Sequence, residues 1–336
     1  MKIFILTLVS SFILSCSSAQ KTVDTKNNPE NYASTITAQE LKEMLYVYAS
    51  DEMEGRMTGT KGQRMAAEYI RDFYIKEGIK AAPGTDNYYQ HIPESYFEGK
   101  KNPQATENVI AFIEGAEKPE EVIVLSAHLD HVGVDDNGNV FNGADDDGSG
   151  TVAIMQIAQA FQQAVKDGNP PKRSILFLHV TAEEIGLYGS RYYTENPLFP
   201  LENTVSNLNI DMIGRIDPDK VDNPEYIYLI GSNKLSQELQ DVSTAMNDKY
   251  TQLELDYKYD DPNDRNRFYY RSDHYNFAKN NVPVIFYFNG VHEDYHKVTD
   301  TPDKIEYNLL AKRSKLIFHT AWELANMENR IKNNVE

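Results

Sequence analysis

Residues 121–128, EVIVLSAH, form an apolar run rich in β-branched side chains that stops at an imidazole. A continuous apolar run, unlike an alternating one, suits a strand covered on both faces. Comparable runs recur at 107–115 (ENVIAFIEG), 174–180 (SILFLHV), 205–211 (VSNLNID), 225–231 (EYIYLIG) and 282–288 (VPVIFYF). Segments with helical spacing lie between them, at 150–165, 187–196 and 234–250. Two more precede the first run. One, at 37–50, opens on the capping-box pair Thr37 and Glu40; the other, at 59–79, has Gly78 near its end. This alternation predicts an α/β fold, a mostly parallel central sheet with helices on both faces. No internal repeat and no second boundary interrupt the pattern, so residues 36–336 read as a single domain.

The rest of the composition narrows the class. Hydrophobic residues make up 40% and aromatic residues 11%, enough for a substantial core. A formal net charge of −18 argues against a nucleic-acid partner or an anionic membrane surface, which need clustered Lys and Arg. The first residues, MKIFILTLVSSFILSCSSAQ, read as an export signal, too short to span a membrane comfortably as a mature helix. Ile13-Leu14-Ser15-Cys16 resembles a bacterial lipobox, which implies a signal peptide over 1–15 and a lipid on Cys16. Residues 16–35 then read as the lipidated cysteine and a flexible tether. Cys16 is the sole cysteine, so the body has no thiolate to offer a metal or a substrate.

In an open α/β sheet, ligands bind beyond the carboxyl ends of the strands. Polar residues gather there in this chain. His128, Asp130 and His131 follow the 121–128 run, and further on lies FNGADDDGSG (141–150), which opens a helix. Glu183 and Glu184 follow the 174–180 run, Asp211 ends the 205–211 run, and His292, Glu293, Asp294, Tyr295 and His296 follow the last. Consecutive aspartates alone are most often a solvated turn. Four converging clusters of imidazole and carboxylate need positive charge among them. That donor mixture suits zinc, cobalt or manganese better than calcium or magnesium. Two dications balance Asp146, Glu184, Asp211 and one hydroxide, with His128 and His296 neutral. Paired metals about 3.5–4 Å apart generate hydroxide and clamp a tetrahedral intermediate.

The motifs AHLDH, GADDDGSGT, TAEEIGLYGS, NIDMIG and DYHKVTDTPDKI occur in the order seen in co-catalytic zinc aminopeptidases of the bacterial leucyl aminopeptidase type. DEMEGRMTGTKGQRMAAEYI also resembles that family's amino-terminal segment, and the likeness covers roughly residues 40–320. It implies an aminopeptidase-like α/β/α fold and hydrolysis of peptides that carry a free amino terminus. By motif, Asp146 would bridge two Zn2+ ions, Glu184 and His296 completing one site, His128 and Asp211 the other. Glu183 would be the general base, Asp130 the partner of the second His128 ring nitrogen, and Tyr295 a donor to the developing oxyanion. The resemblance also implies a cis peptide after Asp146. Asp145 and Asp147 are expected to form the turn or support neighbouring ligands. His131, His179 and His319 read as structural, and RSDH (271–274) as lying near the site without a derivable role.

Other chemistries remain open on this fold. Glutaminyl cyclases work at one zinc, carboxypeptidase-like and dipeptidase-like relatives share the motifs, and a catalytically silent binding ectodomain is a further alternative. The leader is expected to take the protein out of the cytoplasm, lipid-anchored at an outer membrane or cell surface, with the side of the membrane left open.

Overall fold

The computed structural model describes residues 28–97, 99 and 104–334. Cys16 and the leader therefore lie outside the described residues. Among the described residues nine strands form one mixed sheet: β1 (Lys80–Ala81), β2 (Tyr89–Ile92), β3 (Thr106–Ile113), β4 (Lys118–His128), β5 (Arg173–Val180), β6 (Thr204–Ile210), β7 (Tyr226–Ile230), β8 (Glu254–Asp256) and β9 (Val284–Phe288). The order is β1-β3-β5-β4-β6-β9-β7-β8, with β2 also paired to β3. The central four strands, β5-β4-β6-β9, are mutually parallel. The flanks depart from that direction, since β3 runs antiparallel to β5 and β7 antiparallel to β9.

The apolar runs are buried because both sheet faces are covered. Along β4, side chains alternate by the two-residue period of a strand. Ile123, Leu125 and Ala127 join the large core under α2 (Ala38–Tyr48), α3 (Lys61–Glu77), α4 (Gly150–Lys166) and α8 (Tyr307–Asn326). Val122 and Val124 point the other way, into a smaller core with Tyr193 of α5 (Tyr188–Glu195) and Phe277 of α7 (His274–Ala278). A further helix, α6 (Gln237–Met246), packs against α8. Local signals set the helix ends. Thr37 and Thr60 accept from the backbone N–H of Glu40 and Gln63, and Gly78 takes the left-handed cap of α3 with φ of 76°. Among the described residues no helix is long and apolar enough to cross a membrane.

One boundary is corrected. Residues 30–33 form the short helix α1 (Glu30–Ala33), inside the segment read as tether, and Tyr32, Ala33 and Ile36 are buried in the main core. Tyr32 stacks on Trp322 of α8 at 5.4 Å and shares a 2.6 Å hydrogen bond with Asn169. Two or three apolar side chains in a polar stretch suffice to dock it, and such sparse signals do not register as periodicity.

Candidate metal centre

Each parallel strand of the centre ends at the same sheet edge. Two residues past β5 and β6 the chain turns through left-handed backbone at Ala182 and Met212, with φ of 57° and 58°, and His296, in the loop after β9, is left-handed too at 54°. Non-glycine residues adopt that region at some cost, and they cluster where surrounding structure over-determines the chain. The turns aim Glu183 and Glu184, Asp211 and His296 at one point beyond β4. The Asp146–Asp147 peptide is cis, as the resemblance implies.

Asp146 lies at the middle of the cluster, and its two oxygens face different partners. Its Oδ1 is 3.1 Å from His128 Nε2, which is 3.7 Å from Asp211 Oδ1. Its Oδ2 is 3.0 Å from His296 Nε2, which is 3.1 Å from Glu184 Oε2. Donors bound to one tetrahedral zinc at 2.0–2.1 Å stand about 3.3 Å apart, so both trios have the separations of ligand sets. The shells are largely buried, His128 to 1% exposure and Asp146 to 3%. Asp146 Oδ2, Glu184 Oε1 and both ring nitrogens of His131 are buried without a hydrogen bond of acceptable geometry. Buried polar atoms are rarely left so. Orphaned oxygens and imidazoles converging in pairs fit two borderline dications.

The outer aspartates of the triplet face away from this centre. Asp147 accepts from His128 N and Gly150 N at 3.0 Å and from Met212 N at 3.2 Å. Although it comes within reach of His128 and Asp211, its oxygens are already occupied by three backbone donors, which makes it a support. Asp145 accepts from Gly214 N at 2.6 Å and pairs with His292 Nε2 at 3.1 Å. Asp300, 155 positions downstream, accepts from Asp145 N at 3.0 Å and Asp146 N at 3.2 Å.

Asp130 departs from its expected contact. The second ring nitrogen of His128, Nδ1, is 3.0 Å from the Asp130 backbone carbonyl, whereas the carboxylate is 3.9 Å away. That carboxylate instead accepts from Glu183 N at 3.1 Å and Thr58 Oγ1 at 2.8 Å. It is turned from the imidazole because β5 delivers an unpaired N–H on its other side. Asp130 therefore holds Glu183 through its carboxylate and His128 through its backbone carbonyl.

Glu183 is half-buried on the wall of a narrow cleft, with Asp146 and Asp211 at its base and Phe268, Phe286 and Phe288 alongside. Burial pushes its carboxyl well above the usual range, with Glu184, Asp273 and Asp211 adding to the rise and His128 opposing it. Tyr295 lines the same cleft, its ring stacked on His296 at 3.9 Å. Burial, reinforced by Asp146, Asp211 and Glu184, raises its hydroxyl far enough to stay a proton donor.

Three groups here escaped sequence reasoning. His131, read as structural, has Nδ1 2.7 Å from Glu184 Oε1. Ser272 Oγ donates to Asp211 Oδ2 at 2.6 Å and accepts from Asn209 Nδ2 at 2.8 Å, which gives RSDH its role beside a ligand. Arg56 directs its guanidinium at the carbonyls of Tyr48, Leu129, Asn142 and Gly143, tying together the loops that carry His128 and Asp146. His179 and His319 do lie elsewhere, against Tyr74 and Tyr250.

Known proteins resemble both the sequence and the fold. A probable leucine aminopeptidase 2 from Aspergillus oryzae is 29% identical over 201 residues, 58% of this chain and 36% of that protein. The chain spans about a third of the length of the first curated relatives it matches. A zinc aminopeptidase from Bacillus subtilis superposes with a TM-score of 0.66 at 16% identity, covering 90% of this chain and 99% of that one. A glutaminyl cyclase from Bacteroides thetaiotaomicron does so at 0.65 and 17%, covering 85% and 98%, so the fold alone does not separate the two chemistries. Residues 108–321, more than half of the chain and the span from β3 through most of α8, match peptidase family M28, and the chain belongs to that family.

Proposed function

We propose that the protein is an exopeptidase that hydrolyses the amino-terminal bond of peptides at a centre of two zinc ions. The observation that carries this reading is the double-faced Asp146, one oxygen turned to His128 and Asp211, the other to His296 and Glu184. Zinc held by these trios would supply Lewis acidity and a water acidic enough to lose its proton near neutral pH. Glu183, fixed through its own N–H by Asp130, takes that proton and returns it to the departing amine. The Tyr295 hydroxyl donates to the carbonyl oxygen as charge develops on it. The phenylalanine wall excludes water and receives the side chain next to the scissile bond. The completeness of both trios favours hydrolysis over cyclisation at one zinc. Export and anchoring through a lipid on Cys16 belong to the same reading, and Cys16→Ser should release the protein from the membrane fraction.

The test joins metal counting to activity. Two zinc ions per chain are expected, with rapid cleavage of peptides bearing a free amino terminus and none of their acetylated forms. Glu183→Gln should keep both metals and lose about 10²–10⁴-fold in kcat. Equal cleavage of free and acetylated peptides refutes the aminopeptidase assignment. One metal with cyclisation of amino-terminal glutamine would assign the protein to the cyclases.

A further inference from the structure

Arg271 stands at the rim of the cleft that Asp146 and Asp211 floor and Glu183 walls. It is the sole cation among the described residues lining that cleft, and its side chain is exposed. Buried arginines elsewhere have partners of their own: Arg56 and Arg313 donate to backbone carbonyls, and Arg215 pairs with Asp294 at 3.0 Å. The Arg271 guanidinium has no hydrogen bond or ion pair among the described residues. It rests on the face of Phe268, 4.9 Å from the ring centre.

Its backbone is held firmly. Arg271 N donates to Phe268 O at 3.0 Å, and the next two residues are fully buried, Ser272 bonded to Asp211 and Asp273 to Ser190. A guanidinium planted on an aromatic ring and fixed at its base loses little freedom when it pairs, and its fork matches a carboxylate. The acids at the floor of the cleft are the ones two dications balance. The extra cation at the rim has no ion pair with an acidic side chain among the described residues.

We infer that Arg271 is a specificity residue that binds a carboxylate of the peptide substrate. This rests on the proposed aminopeptidase reading for the orientation of the peptide. Two parts of a peptide carry that group within reach of such a cleft: an acidic side chain at the amino-terminal residue, or the terminal carboxylate of a dipeptide. In either case the aliphatic part packs on the phenylalanine wall while the carboxylate meets the guanidinium.

The experiment measures binding on the full-length, zinc-loaded protein carrying Glu183→Gln, so that bound peptides persist. Calorimetry compares Leu-Ala with Leu-Ala-amide, and Glu-Ala-amide with Gln-Ala-amide. One carboxylate-bearing member is expected to bind at least about 10-fold more tightly than its neutral counterpart. The first pair reports a terminal carboxylate, the second a side chain. Adding Arg271→Gln should abolish that preference, leave neutral peptides within about twofold and leave zinc content unchanged. The inference is overturned if neither carboxylate is preferred, if the preference survives Arg271→Gln, or if that change weakens neutral and charged peptides alike. Hydrolysis by the unmodified protein is read separately. Carboxylate-selective binding through Arg271 without cleavage refutes the aminopeptidase reading alone, and cleavage without carboxylate preference refutes the Arg271 inference alone.

Discussion

Arg56→Lys tests the framework that fixes the metal centre. The Arg56 side chain is 1% exposed and donates to four carbonyls: Leu129 at 3.2 Å, Tyr48 at 3.2 Å, Asn142 at 2.7 Å and Gly143 at 2.9 Å. Its guanidinium also lies 4.6 Å from the centre of the Tyr48 ring. A lysine ammonium is a compact group with no fork, so from one position it reaches at most two of the four acceptors. Leu129 O keeps the Tyr48 hydroxyl as a donor at 2.9 Å and Gly143 O keeps Gly148 N at 3.1 Å, so the carbonyls at risk are those of Tyr48 and Asn142, each at a cost of about 1–3 kcal/mol if left without a donor. The expected loss is therefore about 2 kcal/mol, for one of the two left bare, measured by urea unfolding with a chelator present so that metal binding does not contribute. Because Leu129 adjoins His128 and Gly143 opens the aspartate turn, zinc affinity and turnover should fall together. A loss below about 1 kcal/mol would mean that the four carbonyls find other partners, and the proposed clamp would be wrong.

Three further outcomes follow from the same geometry. In Gly143→Ala the added Cβ would stand 2.3 Å from the Asp146 carbonyl oxygen and 2.6 Å from the His131 ring, at a φ of 54°. It should cost at least about 2 kcal/mol and lower zinc stoichiometry, whereas normal metal content would place the turn elsewhere. In His131→Phe the Glu184 side of the pair should lose about 10–100-fold in zinc affinity while the His128 side holds, as read by chelator competition; equal weakening of both would make His131 a general packing group. Burial lowers His179 to about 3, so it is neutral in the native state and takes up a proton only on unfolding. Its contribution is complete above the unfolded value of about 6.5 and is lost as pH falls, at about 1.4 kcal/mol per pH unit. Stability measured from pH 6.5 to 5 should therefore drop about 2 kcal/mol further in the natural protein than in His179→Gln, and parallel curves would refute this.

The strand ends were legible because His128, Glu183, Glu184 and Asp211 end or closely follow long apolar runs, where a polar residue stands out against its context. That signal yields the parallel centre and one edge of the sheet for those four, whereas Asp146 and His296, farther from their strands, were assigned by the motifs of the resembling family. The antiparallel flanks were not legible, since strand direction depends on which distant segment becomes the neighbour. Strands β1, β2 and β8, with two to four residues each, are too short to show a period. The 20-residue helix α8 escaped for another reason. Arg313 interrupts its apolar stripe, yet this residue is fully buried and donates to the carbonyls of Tyr226, Ile213 and Arg215. A buried arginine bonded to backbone carbonyls is indistinguishable, in sequence, from a solvated one. The same limit hid Arg56, whose acceptors at Leu129, Asn142 and Gly143 lie 73, 86 and 87 positions away.

The aspartate triplet shows how residue type and role can part. All three carboxylates are buried, but only the middle one faces the candidate metals. Asp147 gathers N–H groups from the end of β4, the start of α4 and the turn after β6, while Asp145 joins the turn after β6 to His292 in the loop after β9. Between them they fasten the segments that carry His128, Asp211 and His296 to the backbone on either side of Asp146. Removing either flanking carboxylate would leave every proposed ligand in the sequence and release backbone groups that hold the ligands in register. Replacing either flanking aspartate by alanine is therefore expected to lower zinc affinity by about 10–100-fold although neither carboxylate touches the ions, and an unchanged affinity would refute this.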